Sequence, residues 1–192
     1  TDSSNKAYYA AESLIENLLI KSDQVLLGYT TNSNCNQNCT LNFNDGTSAF
    51  AEIKALGNSS DAFSTEIKKD VVDEINLQGY TSSLDICWNG KAAISAMRVY
   101  TDASGEYKVD SFAYNPVSSS YPSDFETAVP KYSFQNCFTV NQANNVLLRI
   151  KALYETTTVY VVPATGASLP LQGFIINSSG KSLDTTKKVS VI

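Results

Sequence analysis

One change of hydrophobic period constrains this chain more than anything else in it. From Ser4 to about Asp23, apolar residues recur at three- and four-residue steps. Beyond Asp23 they alternate in short runs separated by turn residues. In the first stretch, Ala7, Ala11, Leu14 and Leu18 form one row, and Tyr8, Ala11, Ile15 and Leu19 form the adjacent one. The segment YYAAESLIENLL, positions 8–19, therefore predicts a helix whose apolar stripe is wider than a coiled-coil seam. Glu12, Glu16 and Asn17 fall between the rows, and Ser3 or Ser4 can cap the start. A helix of this kind needs a surface to cover, and the rest of the chain offers strands. The predicted class is α+β, with one N-terminal helix packed on antiparallel β-sheet.

The strand readings rest on alternation and turn chemistry. QVLLGYTT reads as a strand and is followed by the Asn-rich loop NSNCNQNC. TLNF and TSAFAEIKAL flank Asp45-Gly46, a strong hairpin signal. AFSTEIKKDVVDEINL fits either one helix or two strands, and two strands are preferred. SLDICWNG places Leu84, Ile86 and Trp88 on one face. AAISAMRVY and EYKVDSFAY flank the turn Asp102-Ala103-Ser104-Gly105 and predict a hairpin. NPVSSSYPSDFETAVPKY reads as a long loop, and SFQNCFTV as a strand. NVLLRIKALY puts Val146, Leu148, Ile150 and Ala152 on one side, with TTTVYVVP as its expected hairpin partner. LQGFIINSSG and TTKKVSVI close the chain as a last hairpin. Neither a repeat nor a linker interrupts the 192 residues, so one domain over 1–192 is expected.

Composition narrows the function. Charged residues are only 17%, and polarity comes instead from 40 Ser plus Thr and 17 Asn, as in proteins that live outside the cell. The net charge of −5 and the absence of any Lys/Arg run argue against nucleic acid as a partner. Histidine is absent, which removes Ser-His-Asp and Cys-His nucleophiles and the common zinc sites. No stretch of about 20 apolar residues is present to span a bilayer. No cofactor, metal or catalytic residue is predicted.

Four cysteines in such a chain suggest disulfides, and three pairings are open. Cys35 and Cys39 lie four apart in a loop, while Cys87 and Cys137 sit in separate predicted strands. We expect Cys35–Cys39 and Cys87–Cys137. The acidic segments DVVDE (70–74) and FNDG (43–46) lack the ligand spacing of a strong calcium loop and read as solvated edges or turns. A glycosidase needs only two carboxylates at the right separation, and nothing singles out one pair here. Three Asn-x-Ser/Thr matches, beginning at Asn38, Asn58 and Asn177, arise readily in a chain this rich in Asn and Ser and are given no role.

AYYAAESLIENLL resembles the stretch after the membrane segment in type IV pilin-like proteins of the small-genome bacterial type. SLDICWNGKAAISAMRV is similar to the Trp-containing strand, small-residue turn and following strand of that family. LLRIKALYETTTVYVVP and GFIINSSGKSLDTTKKVSVI resemble its closing hairpins. The chain departs from the pattern at Leu14, where the family often has Gly, and no cysteine pair brackets the C-terminal loop.

The resemblance implies a pilin-like fold in which residues 1–24 are the second half of a spine helix and 25–192 a β-rich head. A preceding apolar half, absent from this sequence and methylated at its N-terminus, would anchor the precursor in the membrane. Ala7, Tyr8, Ala11, Leu14, Ile15 and Leu18 would be the assembly face, left partly uncovered for other subunits. The implied function is that of a non-enzymatic structural subunit of a type IV pilus or pilus-like surface filament, supporting attachment or motility. Its partners would be other pilin subunits, with a host or neighbouring cell surface as target. The alternatives are a minor or tip pilin acting as an adhesin for a glycan or protein, through loops such as 115–131, or a pseudopilin of a secretion system.

Overall fold

In the computed structural model of this chain, which describes residues 2–30, 35, 37–118, 121, 124–141 and 144–192, the helical repeat forms α1 (Asp2–Leu19). The expected α+β, pilin-like class with one helix laid on antiparallel sheet is corrected. The chain is mostly β, with 52% strand and 14% helix, and the described residues are arranged as three sheets and two helices. The helical period covers only the first tenth of the chain. The larger β part builds its own core and does not depend on a helix to cover it.

The chain divides into two compact units, Thr1–Leu56 with Gly173–Ile192, and Gly57–Gln172. The single domain expected over 1–192 rested on length and on the lack of a repeat or linker, and neither crossing point, at 56–57 or 172–173, carries a linker composition. In the first unit the sheet runs β1 (Thr40–Asn42), β2 (Ser48–Gly57), β13 (Leu171–Ser182), β14 (Thr185–Val191). The β1–β2 hairpin turns at Asp45-Gly46 as expected, with Gly46 at φ +82° and the Asp45 Oδ1 accepting from the Thr47 amide at 3.0 Å. The β13–β14 hairpin also forms as expected. Helix α1 packs on β14, burying Ala7, Ala10, Ala11, Leu14, Ile15 and Leu18.

Gly180 on β13 makes that packing possible. A Cβ there would drive into the Ala7 carbonyl oxygen and come within 2.8 Å of the Ala11 amide nitrogen. Glycine facing two alanines lets sheet and helix backbones approach without a side chain between them.

QVLLGYTT, expected as a strand, forms α2 (Asp23–Tyr29) instead. Ser22 takes the extended N-cap conformation (φ −71°, ψ 155°), and its carbonyl accepts from the Leu26 amide at 3.0 Å. Asp23 sits in the first turn, where the helix dipole favours a negative charge. Only Leu26 is buried, so the run VLL does not fill two faces of a sheet.

The second unit is a β-sandwich. One sheet runs β3 (Phe63–Ile67), β12 (Thr157–Pro163), β5 (Leu84–Trp88), β10 (Phe134–Val140), β9 (Val129–Lys131). The other runs β4 (Val72–Asn76), β11 (Asn145–Leu153), β6 (Ala93–Thr101), β7 (Tyr107–Asn115), β8 (Glu126–Thr127). Ile86, Trp88, Phe138, Val159 and Val161 from the first sheet meet Ile75, Ile94, Leu148 and Ile150 from the second in one core. This is the alternation expected of two inner faces. Trp88 is fully buried and donates its Nε1–H to the Ala92 carbonyl at 2.8 Å, which satisfies its one polar atom.

The ambiguous segment 62–77 does form two strands, β3 and β4, though they belong to different sheets. The β6–β7 hairpin forms around Asp102–Gly105. The expected β11–β12 hairpin does not. Strand β11 pairs with β4 and β6, while β12 crosses to pair with β3 and β5. Each strand has one apolar face, and a sandwich satisfies both faces by sending the chain to the opposite sheet. Val146 is only partly buried, because the β11–β6 register shifts between Asn145 and Leu147. The stretch expected as a loop after Tyr114 contains β8, which pairs in parallel with β7, and β9. Positions 119, 120, 122 and 123 of that stretch, 31 at the end of QVLLGYTT, and 32–34 and 36 of the Asn-rich loop lie outside the described residues.

Candidate functional site

The expected assembly face is the first site to place. Ala7, Ala11, Leu14, Ile15 and Leu18 are all 4% exposed or less, covered by their own unit, while Tyr8 is 42% exposed. Of the expected face, only Tyr8 keeps a large exposed surface, and the other five residues belong to the unit's own packing. The small residues of that face fit the close approach to Gly180, and its large ones fill the core with Leu26, Ile53 and Ile176. The opposite side of α1 is what remains exposed, with Tyr9 and Leu19 at 63% and 58%, Glu12 and Glu16 between them, and Ile20, just past the helix end, at 77%.

Both expected disulfides are present, Cys35–Cys39 and Cys87–Cys137, and no cysteine is free among the described residues. Cys87 and Cys137 face each other directly in the β5–β10 register, with Cα atoms 4.1 Å apart. Both are buried. Leu84, Ile86 and Trp88 point into the core, so alternation puts this disulfide on the outer face of the sheet beside Asp85.

Asp85 is the polar centre that sequence reading missed. It stands on β5, the middle strand of its sheet, and is 5% exposed. Its Oδ2 accepts from Lys131 Nζ at 2.6 Å and from the Tyr132 hydroxyl at 2.7 Å, and its Oδ1 accepts from the Thr139 hydroxyl at 2.5 Å. Burial by itself would raise this carboxyl. The bonds from Lys131, Thr139 and Tyr132 outweigh burial and hold it below the usual carboxylate range. The same pairing raises Lys131 and Tyr132, chiefly through their hydrogen bonds to Asp85. The turn after β9 is thereby pinned over the disulfide face, with the Cys137 Sγ 3.6 Å from the Lys131 carbonyl oxygen. The available signal was a lone acid inside the apolar run SLDICW. A charge on a central strand needs a partner.

A second buried charge serves the core. Arg98 is fully buried; it donates to Asp110 Oδ2 at 2.6 Å and to Asn145 Oδ1 at 3.2 Å, and its guanidinium carbon lies 4.0 Å from the Tyr100 ring centroid. The acidic segments singled out from the sequence are occupied locally. Asp73 accepts from the Thr65 hydroxyl at 2.6 Å, and Glu74 pairs with Arg149 at 2.6 Å. Asp45 is lowered mainly by the Thr47 amide. Among the described residues, no three His, Cys, Asp or Glu side chains gather as a metal-binding set. A groove of about 590 Å³ lies over β4, β11, β6 and β7, lined by Val72, Met97, Ser111, Arg149 and Lys151 among others, and in it Arg149 is already paired with Glu74. No helix among the described residues is long and apolar enough to cross a membrane.

Neither a protein-family model nor a curated protein matches this chain.

Proposed function

We propose that the chain is a non-enzymatic structural subunit of a type IV pilus or pilus-like surface filament, extracellular once assembled, and built from a membrane-anchored precursor. One observation carries this reading. An amphipathic N-terminal helix is seated on its own sheet by backbone-close packing at Gly180, yet keeps an outer face with Tyr9 and Leu19 exposed, continued by Ile20 just past its end. In this reading the assembly contacts lie on that outer face, and the inner stripe Ala7, Ala11, Leu14, Ile15 and Leu18 holds the subunit together. The bonded cysteines suit an oxidising compartment. The buried charges Asp85 and Arg98 are taken up by structural partners, which suits a protein whose chemistry is assembly and display.

A minor or tip subunit acting as an adhesin is the second reading. It is favoured by chain order: the sandwich, residues 57–172, is inserted between two strands of the helix-bearing unit. Replacing Tyr9 by Asp in the full-length protein tests the first reading. The substitution leaves the domain folded, because Tyr9 is 63% exposed, and it abolishes filaments in sheared preparations viewed by electron microscopy. Normal filaments from this variant would remove the outer face from the assembly.

A further inference from the structure

A surface pocket of about 450 Å³ in the sandwich unit is lined by Ser118, Tyr132, Ser133, Phe134, Gln135 and Asn136 among others. No residue in that lining is charged, in a chain of net charge −5. It combines aromatic and aliphatic surface with hydroxyl and amide groups. We propose that this pocket binds a neutral saccharide, with Tyr132 as its aromatic wall.

Tyr132 carries the argument. It adopts φ +56°, a left-handed conformation costly for a bulky residue, and the residue stays 62% exposed. A strained, exposed ring adds little to the core. Yet the fold fixes it, through its hydroxyl donated to the buried Asp85 at 2.7 Å and with Lys131 Nζ 5.3 Å from its centroid. A second ring, Phe134, is held 4.6 Å from Tyr160. An aromatic ring fixed at the surface before any ligand arrives has already lost its rotamer entropy, so binding need not order it.

The polar groups fit the same ligand. Gln135 accepts from the Gly90 amide at 3.0 Å through Oε1, which orients its amide and leaves Nε2 without a partner among the described residues. Ser118 and Ser133 are exposed residues of the same lining and bring two hydroxyls to it. Asn136 is buried and satisfied: it accepts from the Val117 amide at 2.8 Å and donates to the Gly90 carbonyl at 3.1 Å, so it fixes the back of the pocket. A pyranose has weakly positive C–H bonds that stack on an electron-rich ring face, and a rim of hydroxyls that pair with serine and amide groups. An anionic glycan would find no cation in the lining, and a purely apolar ligand would leave the polar groups unpaired.

The proposal does not depend on filament assembly, since every residue named in its argument lies within residues 57–172 of one chain. The experiment titrates the isotope-labelled chain with neutral hexasaccharides of glucose, mannose and N-acetylglucosamine, and with sialylated and sulfated oligosaccharides, following amide shifts by NMR. The expected result is saturable shifts at Tyr132, Phe134 and Gln135 with at least one neutral sugar and none with the anionic ones. Tyr132→Ala should weaken binding about tenfold or more, as loss of a central aromatic anchor does. Tyr132→Phe keeps the ring but loses the bond to Asp85, and should weaken it by less. Gln135→Ala, which leaves the Tyr132–Asp85 bond intact, should weaken it as well. The proposal is overturned by an absence of shifts with every neutral sugar, by preference for an anionic one, or by binding that survives both Tyr132→Ala and Gln135→Ala.

Discussion

Replacing Gly180 by Ala tests the seating of the helix at a single atom. The added Cβ meets backbone, the Ala7 carbonyl and the Ala11 amide nitrogen at 2.8 Å, so no side-chain rotamer can relieve it. Either α1 lifts or the sheet yields. Lifting α1 would expose Leu14, Ile15 and Leu18, each now 4% exposed or less. At about 1.5–3 kcal/mol per large side chain, that loss is about 5–9 kcal/mol. A small rearrangement of β13 is cheaper, and overpacking of this kind costs about 1–3 kcal/mol. We therefore expect a loss of about 2 kcal/mol, or about 10 °C in Tm for a unit of this size.

The two units carry different spectroscopic reporters. Both helices belong to the first unit, and the single tryptophan, Trp88, belongs to the second. Urea and thermal melts followed by far-ultraviolet dichroism should shift, while those followed by Trp88 emission should move less. Gly28→Ala is the control, since a Cβ at Gly28 in α2 meets nothing within 4 Å. It should be neutral or stabilise by up to about 1 kcal/mol, from helix propensity. A Gly180→Ala change within about 0.5 kcal/mol of wild type, the range of an ordinary surface substitution, would refute the backbone-close seating.

Ala11→Asp places a carboxylate at a fully buried position against Gly180 and should unfold the first unit, read as loss of helical dichroism in the isolated chain. The native protein should show no alkylable thiol, and converting Cys87 and Cys137 to Ala should cost about 2–5 kcal/mol, because the bridge closes a long loop, of sequence separation 50. Asp85 is depressed in the folded state, so its contribution is fully present above about pH 4 and is lost as pH falls through its lowered folded value. Asp85→Asn should be less stable at neutral pH and lose that acid-side dependence, measured as urea midpoints against pH.

The elements legible in the sequence were those whose local chemistry and packing agree. Asp45-Gly46 and Asp102–Gly105 made their turns, and the stripe through Ala7, Leu14 and Leu18 made its helix. The Cys87–Cys137 bond followed once two strands were placed side by side. The crossing from β11 to β12 was not legible, because a three-residue connection serves a hairpin or a change of sheet equally well, and the apolar face of β12 is satisfied by either. The run VLL in α2 has no period long enough to separate helix from strand, though Ser22-Asp23 before it was a usable cap signal. Which side of α1 stays free was also hidden. The sequence shows a wide stripe, but only Gly180, far along the chain, reveals that its small residues meet their own sheet. Asp85 and Tyr132 lie 47 residues apart, and nothing local joins them.

Filaments sheared from the cells that make this protein test the central claim most directly, by mass spectrometry of the subunits and electron microscopy at a resolution that traces helices. The account predicts that this chain is a stoichiometric subunit, that its α1 continues an apolar helix in the filament core, and that Tyr9, Leu19 and Ile20 lie against neighbouring subunits. Recovery of the protein only as a free secreted monomer, or in filaments where α1 touches no other subunit, would contradict it.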